Sequence, residues 1–466
     1  MDCKTPKSEF LVRCSLAVLS GLAYAMAYPP LGWRVWVVPG IIGLLLALRG
    51  QHGTRARALG FLHGLAAFGT SMSWLLNIFD AMAVMLWCVL AAFTALFAEM
   101  QSRASQRGLA GWRLLAFTAL NWCGWEFIRA EVFPLKIPWM TAGLAAGPNA
   151  LLPWVGVYGV SFVVVLLAAL IAWRRWTSAV LVLIGLLMAV FGFPRHPSPQ
   201  PGDPQVLQVA GIQLEGVSLT EYLTGTRKLP LETQYVVWPE YAVPYDIREN
   251  KRDLNLVLEL CRERDITLTF GTQSRPGGGD VWRNIALTTD PTGILGEHTK
   301  VHPVHFFDDG SAGKLALPVP TVHGPVGTPI CFDCDYEGVV RKMTAAGAEW
   351  FVVPTMDAES WSARQHDQHA ELARIRACEN ARWMFVCATS GVSQVIDPHG
   401  MLHARLGALE QGALAGSIRR ETRLTFYTRF GWLVPWGLLA GAVGCWIILM
   451  IPYQWIRKNR SNVTAD

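Results

Sequence analysis

The sequence predicts an α-helical transmembrane bundle of about eight spans that carries an inserted, extracytoplasmic α/β domain. Three observations lead there. The 466 residues are 52% hydrophobic and only 16% charged, against about 25% charged for a soluble domain. The apolar residues gather at the two ends of the chain rather than evenly along it. Between them, roughly residues 204–425 alternate short β-type and amphipathic helical stretches, the pattern of a sheet covered by helices. The expected division is therefore 1–203 for an N-terminal membrane part, 204–425 for the α/β domain, and 426–466 for a last helix and tail.

Seven apolar stretches precede the insert. They are Phe10 to Pro30, Val35 to Leu48, Ala58 to Phe79, Ala81 to Met100, Leu114 to Phe133, Leu151 to Trp173 and Ser178 to Phe193. A span needs about 20 apolar residues, and some of these are slightly short. The first is too long for the core of a cleaved signal. Loops on one side hold Lys4 and Lys7, then Arg49, Arg55 and Arg57, then Arg103 and Arg107, then Arg174 and Arg175. Loops on the other hold little beyond Arg34, Asp80 and Lys136. Basic residues stay in the cytoplasm, so the N-terminus is expected inside and the insert outside. An eighth stretch, Phe430 to Ile451, brings the chain back, and Arg457, Lys458 and Arg460 follow it.

Glu126 and Arg129 sit three apart on the fifth stretch. They either face protein or water at membrane depth or lie at its edge. Trp74, Asn77, Trp122 and Trp125 fit either an interfacial belt, the commoner use of such rings, or a lipid-facing cleft. The net charge of +5 sits mostly in short loops with no basic stripe, which argues against nucleic acid as a partner. The ten cysteines are scattered and show no disulfide framework.

After the Pro-rich linker 195–204, strands are expected at Val206 to Ile212, Val236 to Trp238, Ile266 to Gly271, Arg283 to Thr288, Ile294 to Thr299, Trp350 to Pro354, Trp383 to Ala388 and Val392 to Ile396. Helices are expected over Asp253 to Glu263, Glu337 to Ala346 and Gln368 to Asn380. Three polar residues follow strands: Glu240, Lys300 and Cys331. Chemistry gathers on loops held by a rigid sheet. A thiol nucleophile needs a base, which Glu240 can supply, and a cation for the oxyanion, which Lys300 can supply. Cys331 falls at a strand-to-helix turn, where helix N–H groups are expected to lower its pKa. Each residue taken singly is more readily a cap, a surface charge or a core thiol. A Cys331–Cys334 pair could also hold a metal or a redox bridge, but a lone CxxC without further ligands is a weak signal.

Order and context go further. Trp238-Pro239-Glu240-Tyr241-Ala242, then Lys300, then Ile330-Cys331-Phe332-Asp333 resemble the Glu, Lys and Cys motifs of the nitrilase superfamily. The run from Gln368 to Ala377, then Glu379-Asn380 and Ser390-Gly391-Val392-Ser393, is similar too. Such a domain between membrane spans resembles the apolipoprotein N-acyltransferase family. Pro29-Pro30-Leu31-Gly32-Trp33, Gly60-Phe61-Leu62-His63-Gly64 and Trp125-Glu126-Phe127-Ile128-Arg129 resemble that family's membrane half.

The resemblance implies an αββα sandwich in a multi-pass protein of the bacterial inner membrane. It implies that Cys331 takes an acyl chain from a phospholipid as a thioester. The chain then passes to the α-amino group of a diacylglyceryl-modified N-terminal cysteine on an apolipoprotein. Glu240 would be the base and Lys300 the oxyanion partner, with no cofactor and no metal required. Oligomeric state is left open. Where the family has a Glu in the loop after the Lys, Asp308 falls at the matching distance, followed by Asp309. Where it has a Glu after the Cys and its aromatic neighbour, Asp333 stands. Asp308 and Asp333 are therefore the expected supporting carboxylates. The motifs do not separate acyl transfer from hydrolysis by a membrane-anchored amidase that uses the same three residues.

Overall fold

The computed structural model describes residues 7–192, 197, 199, 203–276 and 281–451. The charges at Lys4, Arg457, Lys458 and Arg460, residue Phe193 and most of the linker 195–204 lie outside them. The chain forms two compact units, one of Met1–Ala145, Tyr158–Leu186 and Trp432–Asp466, the other of Ala146–Val157 and Leu187–Gly431.

The first stretch of chain is helical: α1 (Lys7–Met26), α2 (Val37–Ala47), α3 (Gly53–Ser71), α4 (Leu75–Phe79), α5 (Met82–Gln106), α6 (Gly111–Phe127), α7 (Ala142–Ala146), α8 (Leu152–Ala172) and α9 (Trp176–Phe191). Among the described residues, four helices are long and apolar enough to cross a membrane: Ser8–Met26, Met82–Gln106, Leu152–Ala172 and Leu433–Met450. Arg34–Ala47 and Trp176–Phe191 are apolar but shorter.

Small residues let α3 and α5 approach closely, the usual device between apolar helices. A Cβ on Gly60 would stand 2.6 Å from the Cβ of Ala98, and one on Gly64 would stand 2.7 Å from the Cα of Ala91. Trp74 and Trp122 are buried inside this unit, and Trp125 stacks on Trp446, so these indoles pack within the bundle rather than forming a belt. Glu126 and Arg129 are buried as well, at 5% and 4% exposure. Glu126 accepts from the Ala142 amide (2.8 Å) and Trp122 Nε1 (3.2 Å), while Arg129 donates to the Ile137 (2.6 Å) and Trp139 (2.8 Å) carbonyls. The pair thus faces protein, where it satisfies backbone of the irregular segment that follows α6.

The second unit is a sandwich of two sheets. Its elements are β1 (Val206–Gln213), α10 (Leu219–Arg227), β2 (Tyr235–Val237), α11 (Lys251–Arg264), β3 (Thr267–Ser274), β4 (Arg283–Asp290), β5 (Gly293–Thr299), β6 (Val326–Gly327), α12 (Glu337–Ala345), β7 (Trp350–Thr355), α13 (Ala363–Asn380), β8 (Met384–Ala388), β9 (Ser393–Ile396), β10 (Leu402–Leu406), β11 (Gly412–Arg419) and α14 (Phe426–Phe430). After α14 the chain enters α15 (Leu433–Met450).

One sheet runs β11-β1-β2-β3-β4-β5 and the other β10-β9-β8-β7-β6. β1, β2 and β3 are parallel, as are β6, β7 and β8.

Alternation along the strands builds three apolar layers, because successive side chains point to opposite faces. Val209, Tyr235 and Val237 meet Trp350, Val352 and Phe385 between the sheets. The alternate residues Ala210, Ile212, Val236 and Phe270 pack on Tyr222 and Leu223 of α10 and Val257 and Leu260 of α11. Phe351, Val353, Met384 and Val386 pack on Val339 and Met343 of α12 and Ala373 and Ala377 of α13. The layers are therefore α–β–β–α. The loops after β2 and β6, in the two parallel sets, and after β5, which pairs antiparallel with β4, carry the polar residues described next.

Candidate active site

Glu240 follows β2. The corner is held because Trp238 N–H donates to the Thr269 carbonyl (3.0 Å) and Gly271 N–H to the Pro239 carbonyl (3.1 Å). β3 must have glycine at this point: a Cβ on Gly271 would lie 2.5 Å from the Cα of Glu240. Tyr241 turns the chain with a φ of 57°. Lys300 follows β5, and its N–H donates to the Asn284 carbonyl on β4 (2.9 Å). Cys331 opens a single 3-10 turn, Cys331–Cys334, after β6 and takes a φ of 46°. A non-glycine residue in that region is held there by its surroundings.

These three residues are buried to 1% exposure each, and they line one cleft of about 210 Å³. Lys300 Nζ lies 2.8 Å from Glu240 Oε1 and 2.7 Å from Asp309 Oδ2. Asn284 Nδ2 bridges the same two carboxylates, at 2.6 Å from Glu240 Oε1 and 2.8 Å from Asp309 Oδ1. Asp309 also accepts from the Val304 amide (2.7 Å) and the Tyr241 hydroxyl. The Met356 peptide, just beyond β7, joins the other side. Its N–H donates to Glu240 Oε2 (2.8 Å), and its carbonyl accepts from Cys331 Sγ (3.5 Å). Val304, Phe307, Met356 and Trp361 complete the largely apolar wall.

Two carboxylates and one ammonium share this low-dielectric space, and they do not titrate alike. Burial pushes the Glu240 pKa up, and Asp309 adds to this while Lys300 opposes it. Burial also works against ionisation of Asp309, but Lys300 outweighs it and holds that carboxyl below its usual range. Burial alone would lower Lys300, yet Glu240, Cys331 and Asp309 keep its pKa well above the ordinary lysine value. The resting picture is a charged Lys300–Asp309 pair beside a Glu240 whose pKa burial has raised.

Three sequence expectations change. Asp308 does not support the lysine: it is exposed and accepts from Trp282 Nε1 (3.1 Å), while Asp309 holds Lys300. The loop reverses through Phe306 (φ 70°) and Gly310 (φ 75°), so of the two aspartates that line the cleft Asp309 is buried against Lys300 and Asp308 is exposed. Asp333 is buried but lies away from the cleft wall. It accepts from the Ile330 (3.1 Å), Val301 (3.0 Å) and His302 (2.9 Å) amides and meets His298 Nε2 at 3.0 Å. It therefore fastens the loop after Lys300 to the Cys331 turn. The Cys331 thiol is not lowered by a helix terminus. The turn is only four residues long, and burial followed by the Glu240 charge pushes the pKa well above the usual value, against the pull of Lys300.

Sequence reasoning missed Asn284. Its signal was an amide side chain at the head of the apolar run Ile285-Ala286-Leu287. Among the described residues, no group of three His, Cys, Asp or Glu side chains is placed to hold a metal ion.

Comparison with known proteins matches both parts of the chain. The model of the apolipoprotein N-acyltransferase N-terminal domain matches residues 20–170, and that of carbon-nitrogen hydrolase matches residues 217–425. An apolipoprotein N-acyltransferase of Geobacter metallireducens is 26% identical over 505 aligned residues, covering 94% of each chain. One of Pseudomonas aeruginosa is 28% identical over 491, covering 93% of this chain and 95% of its own. Among solved structures, Saccharomyces cerevisiae Nit3, a member of branch 10 of the nitrilase superfamily, aligns with a TM-score of 0.41 and 22% identity over 46% of this chain and 90% of its own.

Proposed function

The chain belongs to the apolipoprotein N-acyltransferase family, and from that premise we propose that it moves a fatty acyl chain from a phospholipid to the N-terminal amine of a diacylglyceryl-modified lipoprotein, by way of a thioester on Cys331. The observation that carries this reading is the convergence of Glu240, Lys300 and Cys331 on one apolar-walled cleft, with Lys300 Nζ 2.8 Å from Glu240.

The steps follow from the roles these groups can take. Glu240 removes the Sγ proton as the thiolate attacks the ester carbonyl carbon of the lipid. Negative charge gathers on the carbonyl oxygen, and the buried Lys300 ammonium stabilises it. Collapse breaks the bond to the glycerol oxygen, which leaves with the proton from Glu240 as a lysophospholipid hydroxyl. The acyl group stays on Sγ. In the second half the lipoprotein amine attacks the thioester carbon and Glu240 takes its proton. Collapse then forms the amide and returns the proton to the Cys331 sulfur. A raised Glu240 pKa suits a group that must both accept and return a proton. The proposal includes eight spans in a bacterial inner membrane, with the sandwich on the extracytoplasmic side.

The test is intact-mass analysis of the detergent-solubilised protein after incubation with phospholipid. An acyl adduct on Cys331 is expected, absent in Cys331→Ala. Addition of a diacylglyceryl peptide should discharge the adduct to the peptide amine. Release of free fatty acid alone would overturn acyl transfer in favour of hydrolysis. Activity without an adduct on Cys331 would overturn the thioester.

A further inference from the structure

A second buried charge cluster stands directly behind the nucleophile and has no part in the steps above. His369, on α13, is 6% exposed. Its Nδ1 lies 2.8 Å from Asp357 Oδ1, and its Nε2 lies 3.1 Å from Asp335 Oδ1. Both carboxylates are buried. A neutral imidazole has one N–H and one lone pair, so it can serve only one of two such carboxylates. The other would then face a lone pair at hydrogen-bond distance. The doubly protonated ring hydrogen-bonds Asp357 through Nδ1 and turns its second N–H side to Asp335 as an ion pair. Burial alone would lower the histidine pKa, but Asp357 and Asp335 outweigh it and hold the pKa well above the usual range.

What the two carboxylates are attached to gives the cluster its meaning. Asp335 caps the 3-10 turn that begins at Cys331. Asp357 follows Met356, whose peptide touches Cys331 Sγ on one side and Glu240 Oε2 on the other. Asp357 is itself fixed: its N–H donates to Thr389 Oγ1 (3.1 Å), and its carboxylate accepts from Gln365 Nε2 (3.0 Å). Cys331 sits at a φ of 46°, a conformation that its neighbours must enforce. The two segments that position the thiol therefore come from different strands, and His369 is the side chain that joins them.

We propose that His369 is the positioning residue of the nucleophile turn, its imidazolium tying Asp335 behind Cys331 to Asp357 behind the Met356 peptide, so that Sγ is held against both the base and the incoming carbonyl. The proposal rests on the assignment of Cys331 as nucleophile, and its test separates the two.

The test uses the full-length protein and two readouts at Cys331: alkylation by iodoacetamide, which needs no lipid, and formation of the acyl adduct. His369→Gln keeps the size of the side chain but removes the bridging charge. Asp335→Ala removes one anchor, whereas Asp335→Asn keeps an oxygen that can accept from Nε2. His369→Gln and Asp335→Ala are each expected to slow both readouts by on the order of tenfold or more, since small misplacements of reacting atoms have effects of that size. The lipid concentration for half-maximal rate should stay within about twofold, because the lipid site is untouched. Asp335→Asn should recover most of the Asp335→Ala loss. The double variant His369→Gln/Asp335→Ala should be no slower than the slower single variant, because both break one link.

Alkylation within about twofold of the parent in both single variants would overturn the proposal. So would losses that multiply in the double variant. If His369→Gln fails to fold, the Asp335→Ala and Asp335→Asn pair decides, with equal rates for the two counting against the link. If the parent never forms an acyl adduct but alkylation falls in the variants, the positioning role stands and the thioester reading fails.

Discussion

At the scale of single residues, one ammonium serves two carboxylates, and the two have different work. Asp309 collects Lys300, the Val304 amide, the Tyr241 hydroxyl and Asn284, which keeps it ionised and fixed. Asp309→Asn should therefore lower Cys331 acylation by on the order of tenfold or more, since it removes a charge that a buried lysine relies on. Asp308→Asn should stay within about twofold of the parent, because Asp308 is exposed and accepts from Trp282 Nε1 rather than holding Lys300. Comparing acyl-adduct rates of the two variants checks both statements. The thiol gives a pH signature as well. Burial and the Glu240 charge raise the Cys331 pKa, so the thiol is protonated near neutral pH and its thiolate fraction grows as pH rises. Iodoacetamide labelling of Cys331 should climb from pH 7 to pH 9 without a plateau. Glu240→Gln removes a like charge and should move that profile to lower pH. A profile that is flat from pH 7, or a shift to higher pH in Glu240→Gln, would contradict the electrostatics of the site. Glu240, Lys300 and Cys331 each follow a strand, which alone leaves each more readily a cap, a surface charge or a core thiol; their order and the motifs around them, which resemble those of the nitrilase superfamily, are what make them legible as a set. The choice between Asp308 and Asp309 was not legible, because spacing cannot tell which of two neighbours a reversing loop turns inward.

At the scale of elements, the readable strands were those with β-branched and aromatic alternation, such as β1 and β7. Others were hidden for physical reasons. β11 is Gly-Ala-Leu-Ala-Gly-Ser-Ile-Arg, a run with little β propensity. Its small residues answer to packing: a Cβ on Gly416 would stand 2.9 Å from Val395 Cγ2 of the facing sheet. β10, Leu-His-Ala-Arg-Leu, is an edge strand with basic residues, which is how edges avoid further pairing. α10 contains Gly and three threonine-type breaks in helix propensity, yet Ser218 and Glu221 form a capping box that marks its start. The same close packing supplies a prediction for β3. Gly271→Ala forces a Cβ against the backbone of Glu240, and the corner that aims the base must shift. Acyl-adduct formation should fall by on the order of tenfold or more, while the circular dichroism of the purified protein stays close to the parent. Parental activity in Gly271→Ala would show that the corner has slack that the 2.5 Å approach denies.

At the scale of the whole molecule, the proposed topology is the least local claim, and it rests on patterns that no single site carries. Among the described residues, four helices meet the length and apolarity needed to cross a membrane, and Arg34–Ala47 and Trp176–Phe191 are shorter apolar helices. α3 and α6 also fall on apolar stretches but carry buried polar groups such as His63, Asn121 and Glu126, which lowers their hydropathy without removing them from the bundle. In the proposed topology an odd number of crossings before residue 204 would put the sandwich outside the cytoplasm, with the Arg-rich loops orienting the set. Labelling with a membrane-impermeant maleimide on spheroplasts tests this directly. Lys228 is exposed just after α10, and Gln106 is exposed at the end of α5, in a loop assigned to the cytoplasm. The described native cysteines are all buried or half-buried, so the parent gives the baseline. Lys228→Cys should label in intact spheroplasts, and Gln106→Cys only after lysis. The reverse pattern would place the sandwich in the cytoplasm, where an extracytoplasmic lipoprotein amine could not reach Cys331, and the acyl-transfer reading would fall with the topology.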